Sequence, residues 1–251
     1  MPTSCIPRHN ATKLAITAVL LVLALIASIS FGATQLSLSE AVRDLLNQNV
    51  TSPAARILLH VRLPRTLAAL LCGAALAVSG VLLQGVLNNA LAGPNIIGVN
   101  AGAGFAVLLA STLVPAAAFL PAAAFVGALC AALLVYAIAV KTGAGRITLV
   151  LAGVAISGML TAGSNTLRLL FPETVLGADN FFLGGFSGVT LAGLAAPAAY
   201  IALGLVLTLC CAGGLNLLAL GDETAKSLGL RVGLLRFVLV LLASLLAGAA
   251  V

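Results

Sequence analysis

The sequence predicts an all-α protein, a polytopic transmembrane helical bundle, and three observations predict it. Of its 251 residues, 62% are hydrophobic and 7% are charged, against about 45–50% and about 25% in a soluble domain; so few charges cannot cover a globule of this size. The apolar residues gather into runs near the roughly 20 needed to cross about 30 Å of hydrocarbon, and the mean hydropathy is +1.23. Glycine is abundant at 26 residues, aromatics are 4% and Trp is absent, a composition suited to helices packed closely in lipid. Soluble enzymes, nucleic-acid-binding domains and disordered chains are excluded on the same grounds.

Read in order, the chain offers seven spans in one membrane domain over 1–251: 14–34, 64–87, 96–114, 118–140, 147–170, 189–212 and 234–251. The first follows Arg8 and Lys13 as a signal peptide would. Its apolar run from Leu14 to Ile29 is long for such a segment, and Ser28-Ile29-Ser30 is a weak cleavage match, so it reads as a retained first helix. The second opens on the basic run around Arg62 and Arg65. The third holds Gly98 and Gly102, a G-x-x-x-G spacing that permits close helix approach. The fourth ends at Lys141, and the fifth carries a polar stripe. The sixth holds Cys210 and Cys211, and the seventh stops at Ala249-Ala250-Val251 inside an apolar run, which reads as a truncated end.

Charge sets the orientation. With a cytoplasmic N-terminus, Arg8, Lys13, Lys141, Arg146, Lys226, Arg231 and Arg236 fall inside, and Arg43, Arg56, Arg62, Arg65 and Arg168 outside. The bias is small, and the Arg62–Arg65 pair runs against it. Such a cluster on the outer face either docks an acidic partner or binds lipid headgroups.

The chain lacks the usual catalytic signatures. There is no G-x-x-x-x-G-K-[ST] phosphate loop, no G-x-G-x-x-G turn, no G-x-S-x-G elbow and no H-E-x-x-H helix. The five cysteines show no C-x-x-C spacing, and His9 and His60 stand alone, so neither a metal site nor a cofactor is expected. Nothing here reads as a catalytic constellation, so an enzyme is not expected.

Two features carry more. Ser157, Thr161, Ser164, Asn165 and Arg168 fall within about 100° of one another on a helix. Polar groups in lipid must face a partner helix or water, so the stripe is a candidate path lining or helix-packing glue. The segment 214–236 has an apolar Leu215–Leu220 stretch, then Asp222 as N-cap, Glu223 in the first turn and Gly229 as a C-terminal stop. A helix of about two turns is too short to hold itself in water, so it must pack on something, and its exposed apolar side chains point to a protein partner.

At these residues the chain resembles the FecCD-type permease subunits of ABC importers for iron-siderophores, haem and cobalamin. The resemblance rests on Arg62-Leu63-Pro64-Arg65-Thr66-Leu67, Gly73-Ala74-Ala75-Leu76-Ala77, Ser79-Gly80-Val81-Leu82-Leu83-Gln84-Gly85, Asn89-Ala90-Leu91-Ala92-Gly93-Pro94, Ile97-Gly98-Val99-Asn100-Ala101-Gly102, Leu151-Ala152-Gly153-Val154-Ala155 and Leu218–Leu230. It runs from about residue 56 to the end. The family usually has Pro where Ala90 stands, an acidic residue at Gly93, and Trp where Phe181 or Phe182 precedes Gly184-Gly185. It also has about ten helices, of which about seven are present here.

The resemblance implies a permease that moves an iron-siderophore or related metal chelate across the inner (cell) membrane. It implies a second permease copy or paralogue, cytoplasmic ATP-binding subunits that hydrolyse the ATP, an extracytoplasmic substrate-binding protein, and surrounding membrane lipid. No nucleic acid is implied. By the same resemblance, Leu220, Gly221, Asp222, Glu223, Ala225, Leu228 and Gly229 form the coupling segment that docks on the ATPase. Arg62 and Arg65 meet the binding protein, the stripe lines the path, and Lys141–Arg146 is a cytoplasmic gate loop. The alternative is an ion-coupled secondary transporter, which places ionisable residues at the membrane midplane.

Overall fold

The computed structural model describes residues 8–32, 37–47, 52–113, 119–141, 146–173, 178 and 181–251, and every regular element among them is helical. They fall into two compact units. One comprises Met1–Ala69 with Phe186–Leu194, the other Leu70–Gly185 with Ala195–Val251.

In the first unit, α1 (Arg8–Ser30) is followed by the short helices α2 (Leu38–Leu46) and α3 (Pro53–Ile57). Ser52 caps α3 by accepting the Ala55 N–H at 3.1 Å, and Pro53 sits at the first helical position, where its missing N–H costs nothing. A π-helical turn, Leu58–Arg62, then leads into α4 (Leu63–Leu87). Pro64 explains this turn. It cannot donate to the carbonyl four residues back, and a widened turn takes up the broken register.

The second unit takes α4 from Leu70 onward, a 3₁₀ turn (Pro94–Ile97), α5 (Val99–Leu113), α6 (Leu120–Lys141), α7 (Arg146–Leu170), α8 (Leu191–Ala219) from Ala195, α9 (Asp222–Ser227) and α10 (Val232–Ala249). Small residues bring these helices together. A Cβ on Gly102 of α5 would strike the Gly127 carbonyl of α6 and lie 2.5 Å from the Ala131 Cβ. One on Gly204 of α8 would lie 2.7 Å from a Leu246 methyl of α10. Around these crossings the core buries Leu82, Leu83, Ile97, Leu108, Leu239 and Leu246. Ser79 of α4 donates across to the Ala243 carbonyl of α10 at 2.7 Å.

Among the described residues, six helical stretches are long and apolar enough to span a membrane: Ala11–Ser30, Pro53–Leu87, Leu120–Lys141, Ile147–Leu170, Leu191–Ala219 and Val232–Ala249. The one remaining expected span, the third at 96–114, corresponds to α5, whose 15 residues reach about 22 Å at about 1.5 Å per residue. Its expected end at 114, like the end of the first span over 33–34, lies outside the described residues. The sixth span also differs from its expected end at 212: Gly213 and Gly214 stay helical, and Leu215–Leu220 is the last turn and exit of α8 rather than a separate stretch. Gly214 is kept small by a Leu235 methyl of α10, which a Cβ there would approach to 2.9 Å.

Candidate functional site

The polar stripe is seated by backbone contact. Gly153 brings α7 onto the 3₁₀ turn so closely that a Cβ there would run into the Ile96 carbonyl. Gly98 closes that turn in the left-handed region at φ 78, its N–H donating to the Asn95 carbonyl at 3.2 Å. Ser157 lies beside it, its Oγ 3.2 Å from where a Gly98 Cβ would stand, and that Oγ is buried without a hydrogen-bond partner. Ser164 is buried and donates to its own helix, to the Leu160 carbonyl at 2.8 Å.

Arg168 is half-buried, with its guanidinium carbon 3.9 Å from the Phe182 ring centroid; that ring packs edge-on against Phe181 at 5.3 Å. The guanidinium over a ring face is a cation–π contact. Thr161 and Asn165 stand on the exposed flank of the same face. The stripe is therefore a seam. Ser157, Ser164 and Arg168 turn toward the bundle, and Thr161 and Asn165 turn out of it.

The short helix is α9, whose six residues make a little under the expected two turns. Its N-cap is Gly221, at φ 111, and not Asp222, which is the first helical residue. The reason is an ion pair: Asp222 Oδ1 and Oδ2 accept from Nη2 of Arg236 at 2.9 and 2.8 Å, so its carboxylate is turned to α10 instead of to the helix N-terminus. Gly229, at φ 83, ends the element as expected. Its N–H donates to the Lys226 carbonyl, and the Leu230 N–H to the Ala225 carbonyl, the paired bonds of a Schellman cap. Ala225 is fully buried and faces the core, so it offers nothing to a partner. Leu220 is 64% and Leu228 60% exposed, and Glu223 and Gly229 are exposed with them.

The two arginines expected on the outer face part company. Arg65 is exposed. Arg62 is 5% exposed, and its Nη1 donates to the carbonyls of Ile29 and Ser30 at 2.6 Å each, capping the C-terminal end of α1. Gly32 stands against the same guanidinium, 3.2 Å from where its own Cβ would lie to Nη2. Of the gate loop, 142–145 lie outside the described residues.

Arg236 is the residue that sequence reasoning passed over, having served there only as a positive charge for orientation. A signal existed. An arginine in the second turn of an apolar span needs a partner, and with six acidic residues in the whole chain, Asp222 and Glu223 were the near choices.

Among the described residues, no group of three or more His, Cys, Asp or Glu could hold a metal ion. The comparisons with known proteins agree with one another. The model of the FecCD transport family matches residues 20–251. The chain is 35% identical over 236 residues to the iron(3+)-hydroxamate import system permease protein FhuB of Bacillus subtilis (strain 168), covering 92% of this chain and 61% of that one. It is 38% identical over 241 residues to the achromobactin transport system permease protein CbrC of Dickeya dadantii (strain 3937), covering 93% and 68%. The chain thus spans 61% and 68% of the length of these two relatives. A solved structure assigned to the metal-chelate type of ABC transporter, in an inward-facing conformation, matches with a TM-score of 0.81 at 28% identity over 96% of this chain and 75% of that one.

Proposed function

Because the chain belongs to the FecCD transport family, we propose that it is a membrane-spanning permease subunit of an ABC importer. It carries a ferric chelate across the cell membrane with ATP hydrolysed by a partner subunit. The observation that carries this reading is the unbroken likeness over residues 20–251, since the relatives that share it are named as permease proteins of iron-chelate transport systems. Iron-siderophore is the cargo of choice, ahead of haem and cobalamin.

The working unit pairs this chain with a second permease copy or paralogue, two cytoplasmic ATP-binding subunits and an extracytoplasmic binding protein, with the N-terminus in the cytoplasm. Four features support the roles. The sequence has no phosphate loop, in keeping with ATP held elsewhere. Leu220 and Leu228, which flank the short helix, and Glu223 in its first turn are exposed, a partly apolar surface suited to a groove in the ATPase. Arg65 is free to meet an acidic lobe of the binding protein, with Arg62 holding the backbone beneath. Thr161 and Asn165 offer polar groups on the exposed flank of α7, where a facing subunit would enclose the path. Closure of the ATPases then rocks the helices as rigid bodies, and it drives transport only through different contacts in the inward- and outward-facing states.

The test is reconstitution of the chain in proteoliposomes with the ATPase and binding protein encoded beside it. Uptake of iron-loaded hydroxamate, catecholate and citrate chelates is then followed. ATP-dependent uptake that needs the binding protein and resists ionophores is the expected result. Uptake driven by a proton gradient without ATP overturns it. The path has its own test in the same vesicles: cysteines at 161 and 165 react with an impermeant thiol reagent, in a nucleotide-dependent way, and cysteines at 160 and 167 do not.

A further inference from the structure

Arg236 lies in an apolar helix, 7% exposed, and Asp222 is on the neighbouring short helix fourteen residues earlier. A cation at this depth is tolerated only with a partner, and a single Nη2 bonds both carboxylate oxygens. Removing either member takes this ion pair from the other, at most cost to the nearly buried guanidinium, whereas removing both takes the two charges away together.

The pair also has a clear mechanical position. On one side, α9 is clipped by Gly221, by its Schellman cap and by buried Ala225, and six residues have no stability of their own. On the other side, the start of α10 is fastened to α6: Tyr136 Oη donates to the Gly233 carbonyl at 3.0 Å, and the Tyr136 and Phe237 rings lie 5.2 Å apart. Arg236 stands between those two anchor points, three residues past Gly233 and next to Phe237. From α6, the Gly102–Gly127 crossing leads to α5, and the 3₁₀ turn leads to Gly153 and Ser157 on α7.

We infer that Asp222 and Arg236 are positioning residues that lock α9 to α10, so that displacement of the short helix is delivered to the spanning bundle instead of being lost by pivoting of the loop. The inference rests on the reading of α9 as the ATPase-docking element. It adds which side chains transmit the movement: the exposed face receives it, and the ion pair passes it on.

Two readouts test it. In the full chain, after replacement of the native cysteines, nitroxides at 226 and 234 report the separation of α9 and α10. A narrow distance distribution is expected in the parent, broadened in Asp222→Asn and in Arg236→Met, and narrowed again in the exchanged pair Asp222→Arg with Arg236→Asp. In the reconstituted complex, the same single variants should lose about tenfold or more in chelate transported per ATP hydrolysed, with the KM for ATP unchanged, a split that simple misfolding does not produce.

The doubly neutral Asp222→Asn with Arg236→Met guards against a folding failure, because it removes both charges of the pair together; it should assemble and still be uncoupled. Full coupling in that variant, an unchanged distance distribution in the single variants, or broadening without loss of coupling each overturns the inference. If the parent complex shows no ATP-driven uptake while Asp222→Asn still broadens the distribution, the permease reading fails and takes the transmitting role with it, and the lock between α9 and α10 stands alone.

Discussion

Helices α1 and α10 are equally apolar, and each is long enough to cross a membrane, yet none of the apolar window of α1 is buried within the chain, against 56% for α10. The difference lies in the side chains. Along α10, Leu239, Val240, Ala243, Ser244, Ala247 and Gly248 are all buried, and their small members admit neighbours. A Cβ on Gly248 would come within 3.3 Å of the Ala128 Cβ and 3.4 Å of the Phe125 ring. Residues 8–30 contain no glycine, and α1 is fastened at its C-terminal end, by Arg62 on the Ile29 and Ser30 carbonyls and by a 2.8 Å hydroxyl contact between Ser28 and Thr66. Apolarity places a helix in lipid. The spacing of small and polar residues decides which face meets protein, because lipid tails satisfy a leucine as well as another helix does.

The surest way to break this comparison is to enlarge a small residue in α10 and truncate a large one in α1. Ala243 is fully buried against α4, which sends Ser79 to its carbonyl. Ala243→Leu adds three carbons where there is no room, and overpacking costs about 1–3 kcal/mol; we expect the upper end, read as a shifted midpoint in detergent-denaturant titration. Leu21, 50% exposed in α1, should accept Ala with a change within about 0.5 kcal/mol. Equal losses at the two sites would mean that α1 is packed as α10 is.

The same distinction marks how much the sequence disclosed. Apolar runs announced the spanning helices, and Gly229 announced the end of α9, because length and a left-handed stop are local properties. The boundary at 212 was misplaced because Gly213 and Gly214, usual breakers, stay helical here, and Gly214 is wanted for its size: it lies against Leu235 of a helix that comes later in the chain. Asp222 read as an N-cap for the same reason. Its local preference lost to a charge fourteen residues away. The stripe on α7 was visible as a face, but its division into buried Ser164 and exposed Thr161 depends on where α5 and the 3₁₀ turn lie, which no periodicity records.

Arg62 sharpens the comparison from the other side, since it holds α1 by its end. Two charge-assisted bonds to carbonyls that have no partner further along their own helix are involved. Hydrogen bonds to charged groups are worth about 1.5–3 kcal/mol, so Arg62→Met should release the end of α1 by about 2 kcal/mol. The measurement is hydrogen exchange at residues 27–31, which should quicken by more than tenfold. Arg65→Met, at an exposed position, should leave that exchange unchanged and weaken binding-protein docking instead. Faster exchange in both variants would return Arg62 and Arg65 to a single shared role.

The smallest effect comes from two serines that stand alike in sequence and differently in structure. Ser79 is fully buried and donates to the Ala243 carbonyl, while Ser28 is exposed and shares a hydroxyl contact with buried Thr66. Ser79→Ala removes a donor from a carbonyl that has a second lone pair for its own helix, so no acceptor is stranded, and a loss of about 1 kcal/mol is expected. Ser28→Ala should lose less, about 0.5 kcal/mol, because Thr66 can turn its hydroxyl back onto a carbonyl of its own helix, as Ser164 does on α7. Both values come from the same denaturant titration as Ala243→Leu. A larger loss at 28 than at 79 would show that α1 is held by its side chains along the helix, and the contrast with α10 would then be one of degree.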